Sequence, residues 1–223
     1  MTTIAFSDNI ITNIDNPVLL EKILKVFYKE IGGEFSILQI AKKIRVSYSY
    51  VHREVELFSK RGIISVNVSG RRKYCKPNYL NLIVVSSFVK ISAEEAQKFL
   101  SAGEKITSIV KELLAGLPEK TNYNLLSIIL YGSFAKSTQI KSSDVDLLVL
   151  VPSKEKYGEI IENECVSLSR RYGVEVSPII SEPQSFLNML RERENNVAKE
   201  LLKNKIILYG AEKFWELVLG TMK

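Results

Sequence analysis

Apolar residues recur at helical spacing across residues 17–31 (PVLLEKILKVFYKEI), and Asn16-Pro17 makes a helix start. Gly32-Gly33 stops that helix. Ser36 is placed to cap a second one over residues 37–44 (ILQIAKKI). After the turn Arg45-Val46-Ser47, residues 47–62 set Val51, Val55 and Phe58 on one helical face and end at Gly62. Short strands follow at 63–68 (IISVNV) and 73–78 (KYCKPN), around the turn Ser69-Gly70-Arg71-Arg72. The pattern predicts helix, helix, helix, strand, basic turn, strand.

A mainly apolar run, Tyr79 to Phe88, leads into the second half. Ser92 with Glu95 reads as a capping box opening a helix over 93–116, and Leu117-Pro118 is expected to end it. Phe99, Ile106, Ile109 and Leu113 form an apolar stripe that must be buried, either in its own domain or in the seam of a homodimer. Leu125–Tyr131 and Val145–Val151 read as strands. A helix over 155–172 leads to a third strand, 173–180 (GVEVSPII), then a helix over 183–205. The charged run 191–194 reads as a solvated face. Residues 206–218 read as strand, glycine turn and short helix, with Phe214 and Trp215 as core. No repeat or low-complexity stretch is present.

The chemistry lies between the first two of these strands: YGSFAKSTQIKSSDVDLLVLV, residues 131–151. Alternate strand residues share a face, so Asp144 and Asp146 project together. Gly132 permits close backbone approach. Ser133 offers a hydroxyl and an N–H, and a helix starting there would aim amides at phosphate. Two carboxylates beside such a turn suit a divalent cation and a phosphate chain. The bland alternative is a surface turn with two solvated acids.

Gly132, Ser133, Ala135, Lys136, then Ser143, Asp144, Asp146 and Leu147 resemble the nucleotidyltransferase superfamily of the DNA polymerase beta type, in particular its minimal branch. Ser137 departs from the pattern, standing where the family usually has glycine. The resemblance implies a mixed sheet flanked by helices. It implies Asp144 and Asp146 as ligands of two Mg2+ (or Mn2+) ions, with Gly132 and Ser133 on the triphosphate of an NTP. Lys136 would neutralise phosphate, or else face solvent. A third acid is expected inside a later hydrophobic strand, and Glu175 matches it, as base or metal ligand; an acid on a solvent face is the alternative. The implied reaction moves an NMP to an acceptor hydroxyl on a partner protein, as in toxin–antitoxin pairs, on RNA or on a small molecule.

Charge adds a second function. Residues 1–90 hold 14 Lys+Arg against 7 Asp+Glu; residues 91–223 hold 17 against 18, within a total of +6. A localised positive field is a footprint for nucleic acid. The element order and the run Ile40–Val51 resemble a winged helix-turn-helix. That implies base or backbone contacts from Ser47, Tyr48, Ser49, Tyr50, His52 and Arg53, and phosphate contacts from Arg71, Arg72 and Lys73. A protein-interaction or dimerisation module is the alternative.

The expected architecture is thus α+β: a winged helix over 1–80, a helical linker over 81–118 and a nucleotidyltransferase domain over 119–223. At 46% hydrophobic and 25% charged residues, the composition is that of soluble globular proteins. No apolar run is long enough for a membrane span, and residues 1–13 lack a signal-peptide pattern, so a cytoplasmic protein is expected. Cys75 and Cys165 fit no metal spacing and are expected as free thiols, and a single histidine excludes a His-based metal cluster. A different class stays open: a DNA-binding regulator that senses nucleotide or has lost catalysis.

Overall fold

A computed structural model describes residues 16–140 and 143–222. The N-terminal stretch read above for a signal peptide lies outside the described residues. The chain divides into two compact units. One runs to Lys90 and includes the C-terminal residues from Leu219; the other spans Ile91–Val218.

In the first unit, helix α1 (Pro17–Lys29) starts where expected, with the Asn16 side chain accepting from the Leu19 N–H at 3.2 Å. A two-residue strand, β1 (Phe35–Ser36), leads into α2 (Ile37–Ile44). Ser36 caps α2 and Gln39 returns the bond to the Ser36 N–H at 2.8 Å, a complete capping box. Helix α3 (Tyr48–Lys60) buries Val51, Val55 and Phe58. Strands β2 (Ile64–Ser69) and β3 (Arg72–Pro77) then pair antiparallel, closing at Ser69↔Arg72. The sheet order is β1-β3-β2. β1 was not legible in the sequence, because two residues carry no periodicity.

In the second unit the sequence reading needs three corrections. Helix α4 (Leu82–Leu100) runs straight through Ser92. Ser92 is fully buried and its hydroxyl accepts the Trp215 indole N–H at 2.9 Å, so it is a packing residue and not a cap. The chain breaks instead around Gly103 (φ +72°), and α5 (Lys105–Lys120) continues through Pro118. Finally, the single helix expected over 183–205 is two, α8 and α9, described below.

The sheet of this unit comprises β4 (Ser127–Leu130), β5 (Val145–Leu150), β6 (Val176–Ser181) and β7 (Ile206–Tyr209), in the order β6-β5-β4-β7. β5 and β6 are parallel; β4 is antiparallel to both its neighbours. The short helix α6 (Gly132–Lys136) follows β4, and α7 (Lys154–Tyr172) joins β5 to β6. The apolar stripe of α5 (Ile106, Ile109, Leu113) is buried in the unit's own core with Val145, Leu147, Ile161 and Leu168. Burial of each such side chain is worth about 1.5–3 kcal/mol. Helix α8 (Pro183–Arg191) ends before the acidic run, and α9 (Val197–Lys203) restarts with its own Asn196 cap, which accepts from the Lys199 N–H at 3.1 Å. Helix α10 (Ala211–Gly220) carries Phe214 and Trp215, both fully buried, as read. Cys75 and Cys165 are free, buried thiols. No helix among the described residues is long and apolar enough to cross a membrane.

Candidate active site

The site forms where β4 ends and β5 begins. Leu130 pairs with Leu147, and the Tyr131 N–H donates to the Asp146 carbonyl at 3.0 Å. This fixes the turn after β4 against the start of β5. Gly132 adopts φ +69°, a left-handed conformation that side chains disfavour. It also has no room for one: a Cβ there would come within 2.9 Å of Asp146 Cγ. The glycine backbone and the Asp146 carboxylate therefore pack directly together.

The five residues of α6 end at Ser137, which is left-handed (φ 56°, ψ 36°). This is the position where the sequence pattern expected glycine. Serine holds the same backbone there at a strain cost of about 1–2 kcal/mol. Thr138 N–H donates to Ser133 O at 3.0 Å, tying the turn off. Before β5, Ser143 closes a small loop: its hydroxyl accepts from the Ile140 N–H at 2.9 Å and its own N–H donates to Ile140 O at 3.0 Å.

Asp144 is exposed and Asp146 half-buried, with fully buried Val145 between them. The two carboxylates interact. Asp146 is raised above the ordinary carboxylate range, chiefly by burial, then by the charges of Asp144 and Glu200, against an opposing pull from Lys136. Tyr131, on the other side of Gly132, is pushed up to about 12 by burial and by the charges of Asp146 and Glu200. Glu175 stands beside Asp144: β5 and β6 run in register, and the Val145 N–H donates to the Glu175 carbonyl at 2.8 Å. Asp144 and Glu175 are the residues immediately before β5 and β6, whose first pair is Val145 with Val176. Its carboxylate is exposed and accepts from Ser177 Oγ at 3.5 Å. Among the described residues, no group of three or more His, Cys, Asp or Glu side chains is placed to hold a metal ion. Two neighbouring hard carboxylates, one of them packed on the Gly132 backbone, nevertheless fit Mg2+, which takes one or two carboxylates and completes its shell from phosphates and water.

Lys136 turns to an acid absent from the sequence reading. Its ammonium pairs with Glu200 of α9, 64 residues away along the chain. Glu200 was missed because α8 and α9 read as one helix, and nothing local in the sequence ties that helix to the turn after β4.

The residues of the first unit expected to contact DNA separate into two groups. Ser47, Tyr48, Ser49, Tyr50 and Arg53 are exposed at the start of α3, with Arg53 over the Tyr50 ring at 5.0 Å. Arg71 and Arg72 are exposed at the β2–β3 turn. Lys73 does not join them: it bonds back to Glu56 at 2.8 Å and lies 3.2 Å from the half-buried His52.

Comparison with known proteins agrees with this architecture. Residues 117–214 match the family described as "Polymerase beta, Nucleotidyltransferase". A Methanocaldococcus jannaschii protein named "Putative protein adenylyltransferase MJ1305" is 30% identical over 122 residues, 53% of this chain and 81% of that protein. A second from the same organism, "Putative protein adenylyltransferase MJ0604", is 29% identical over 77 residues, 34% of this chain and 74% of that protein. No solved structure matches the chain. The chain belongs to the DNA polymerase beta-type nucleotidyltransferase superfamily.

Proposed function

We propose that the second unit transfers an adenylyl group from ATP to a hydroxyl of a partner protein. The observation that carries this reading is the packing of the Gly132 backbone directly on Asp146, one of two neighbouring carboxylates. The names of the two relatives support ATP as donor and protein as acceptor. RNA or a small molecule is the alternative acceptor.

In this reading Gly132 and Ser133 seat the triphosphate and Lys136 offsets part of its charge. Asp144 and Asp146 hold Mg2+, with Glu175 as a further ligand or base; the bound ion would neutralise charge developing on the phosphates. The acceptor oxygen forms a bond to the α-phosphorus while the bond from that phosphorus to the bridging oxygen breaks, releasing pyrophosphate. The hydroxyl proton passes to Glu175. Incubation with α-labelled ATP, Mg2+ and candidate partner proteins tests this. Label transfer that Asp144→Ala with Asp146→Ala abolishes is expected; nucleotide binding with no turnover on any acceptor overturns it.

We further propose that residues 1–80 act as a winged helix-turn-helix on double-stranded DNA, with 81–118 as connector and 119–223 as the transferase. The exposed start of α3 and the exposed Arg71 and Arg72 support this. A second reading of the whole chain, a nucleotide-sensing DNA-binding regulator, is favoured by the strained Ser137 in the phosphate turn. The label-transfer experiment separates the two.

A further inference from the structure

We propose that Glu200 is a positioning residue for nucleotide binding: it holds Lys136 in the substrate-free protein and yields it to the triphosphate. The inference rests on the reading of Lys136 as a phosphate contact.

Three observations lead to it. First, the Lys136–Glu200 pair joins the last residue of α6 to α9, two elements far apart in sequence. Second, the pair is anchored at the candidate site: Lys136 ends the five-residue helix that starts at Gly132, and the Gly132 backbone lies against the Asp146 carboxylate. Third, Lys136 and Glu200 border a polar cleft of about 450 Å³ lined also by Asn195, Asn196, Lys203 and Asn204. The ammonium thus has open room in which to change partner.

The electrostatics favour an exchange. In the substrate-free protein the Lys136 ammonium is held by a single carboxylate, that of Glu200. A lysine ammonium is a compact charge on a flexible stem. Both partners are partly exposed, at 35% and 50%, and ion pairs so exposed are weak. A triphosphate offers several anionic oxygens in place of one carboxylate. Glu200 therefore competes with nucleotide for Lys136, and once released it is an additional negative charge beside the bound phosphates. Both effects lower affinity for free nucleotide.

Calorimetric titration of the full chain with ATP, with and without Mg2+, tests this independently of turnover. Glu200→Gln should tighten ATP about two- to fivefold, the range set by an exposed pair, and KM should fall with it. Glu200→Asp should restore weaker binding. Lys136→Gln should weaken ATP, and in that background Glu200→Gln should have less than half its effect on binding free energy. Unchanged affinity in Glu200→Gln overturns the proposal. So does equal tightening with Lys136 absent, which would mark a diffuse charge effect. Asp146→Asn separates this from the site reading. If it retains label transfer, the site reading fails. If it loses transfer while Glu200→Gln binds ATP as wild type does, only the exchange fails.

Discussion

The Cα of Gly132 lies against the carboxylate of Asp146, so closely that a methyl group there would reach 2.9 Å from Cγ and 3.2 Å from Cβ. The backbone at Gly132 is left-handed as well. Gly132→Ala therefore meets two penalties, about 1–2 kcal/mol of backbone strain and displacement of a carboxylate. A displacement near 1 Å is enough to cost roughly 10²-fold in rate. Label transfer should fall by at least that factor while the protein stays folded by circular dichroism. Wild-type transfer rates in Gly132→Ala would sever the link between this packing and the chemistry.

Asp146 should make the metal-free protein less stable at neutral pH. Its carboxyl is raised in the folded state, so folding favours the protonated form. The stability tied to this group is complete below the unfolded carboxylate range and is lost as pH rises through the raised folded value. Asp146→Asn removes that loss. Its Tm should exceed wild type at pH 7. The difference should vanish below about pH 4. Thermal unfolding across that range checks the sign, and a lower Tm at pH 7 contradicts it.

Ser137→Gly should stabilise the turn after α6. The left-handed backbone at Ser137 strains a residue with a Cβ, and glycine relieves it. Greater freedom of glycine in the unfolded chain returns part of the gain. The net increase should be under about 1 kcal/mol, read by urea unfolding, with label transfer retained or raised. A destabilised variant would mean that the Ser137 side chain itself holds the turn.

Arg71 and Arg72 are exposed at the β2–β3 turn, whereas Lys73 is engaged by Glu56. Replacing both arginines by alanine should weaken DNA binding uniformly across sequences. It should also reduce the slope of log K against log salt by about 2. Lys73→Ala should change that slope less. A slope unchanged by loss of both arginines favours the interaction-module reading.

Local chemistry made much of this legible in the sequence. Strong periodicity announced α1, α3, α7 and the buried strands. The glycine turn followed by alternating aspartates announced the candidate site, because both halves lie within one hairpin and need only pairing and alternation to meet. Glu175 was expected inside a strand over 173–180, but β6 begins at Val176 and leaves Glu175 exposed just before it, because Gly173 ends the preceding helix only two residues earlier.

What the sequence did not carry is what distant segments do to each other. Ser92 has the letters of a helix cap, yet the apolar core on either side carries α4 through it and Trp215 takes its hydroxyl. Pro118 reads as a stop, yet it sits near the end of α5 with Leu113 and Leu117 buried beside it. Glu200 reads as one more surface acid until α9 is packed near the end of α6, where its carboxylate meets Lys136 and presses on Asp146. Pattern and spacing determine which residues can form a strand, a turn or a pair of carboxylates. Which charges come to share one small volume, and so what each carboxylate's affinity for a proton becomes, is decided only when the sheet and its helices close around them.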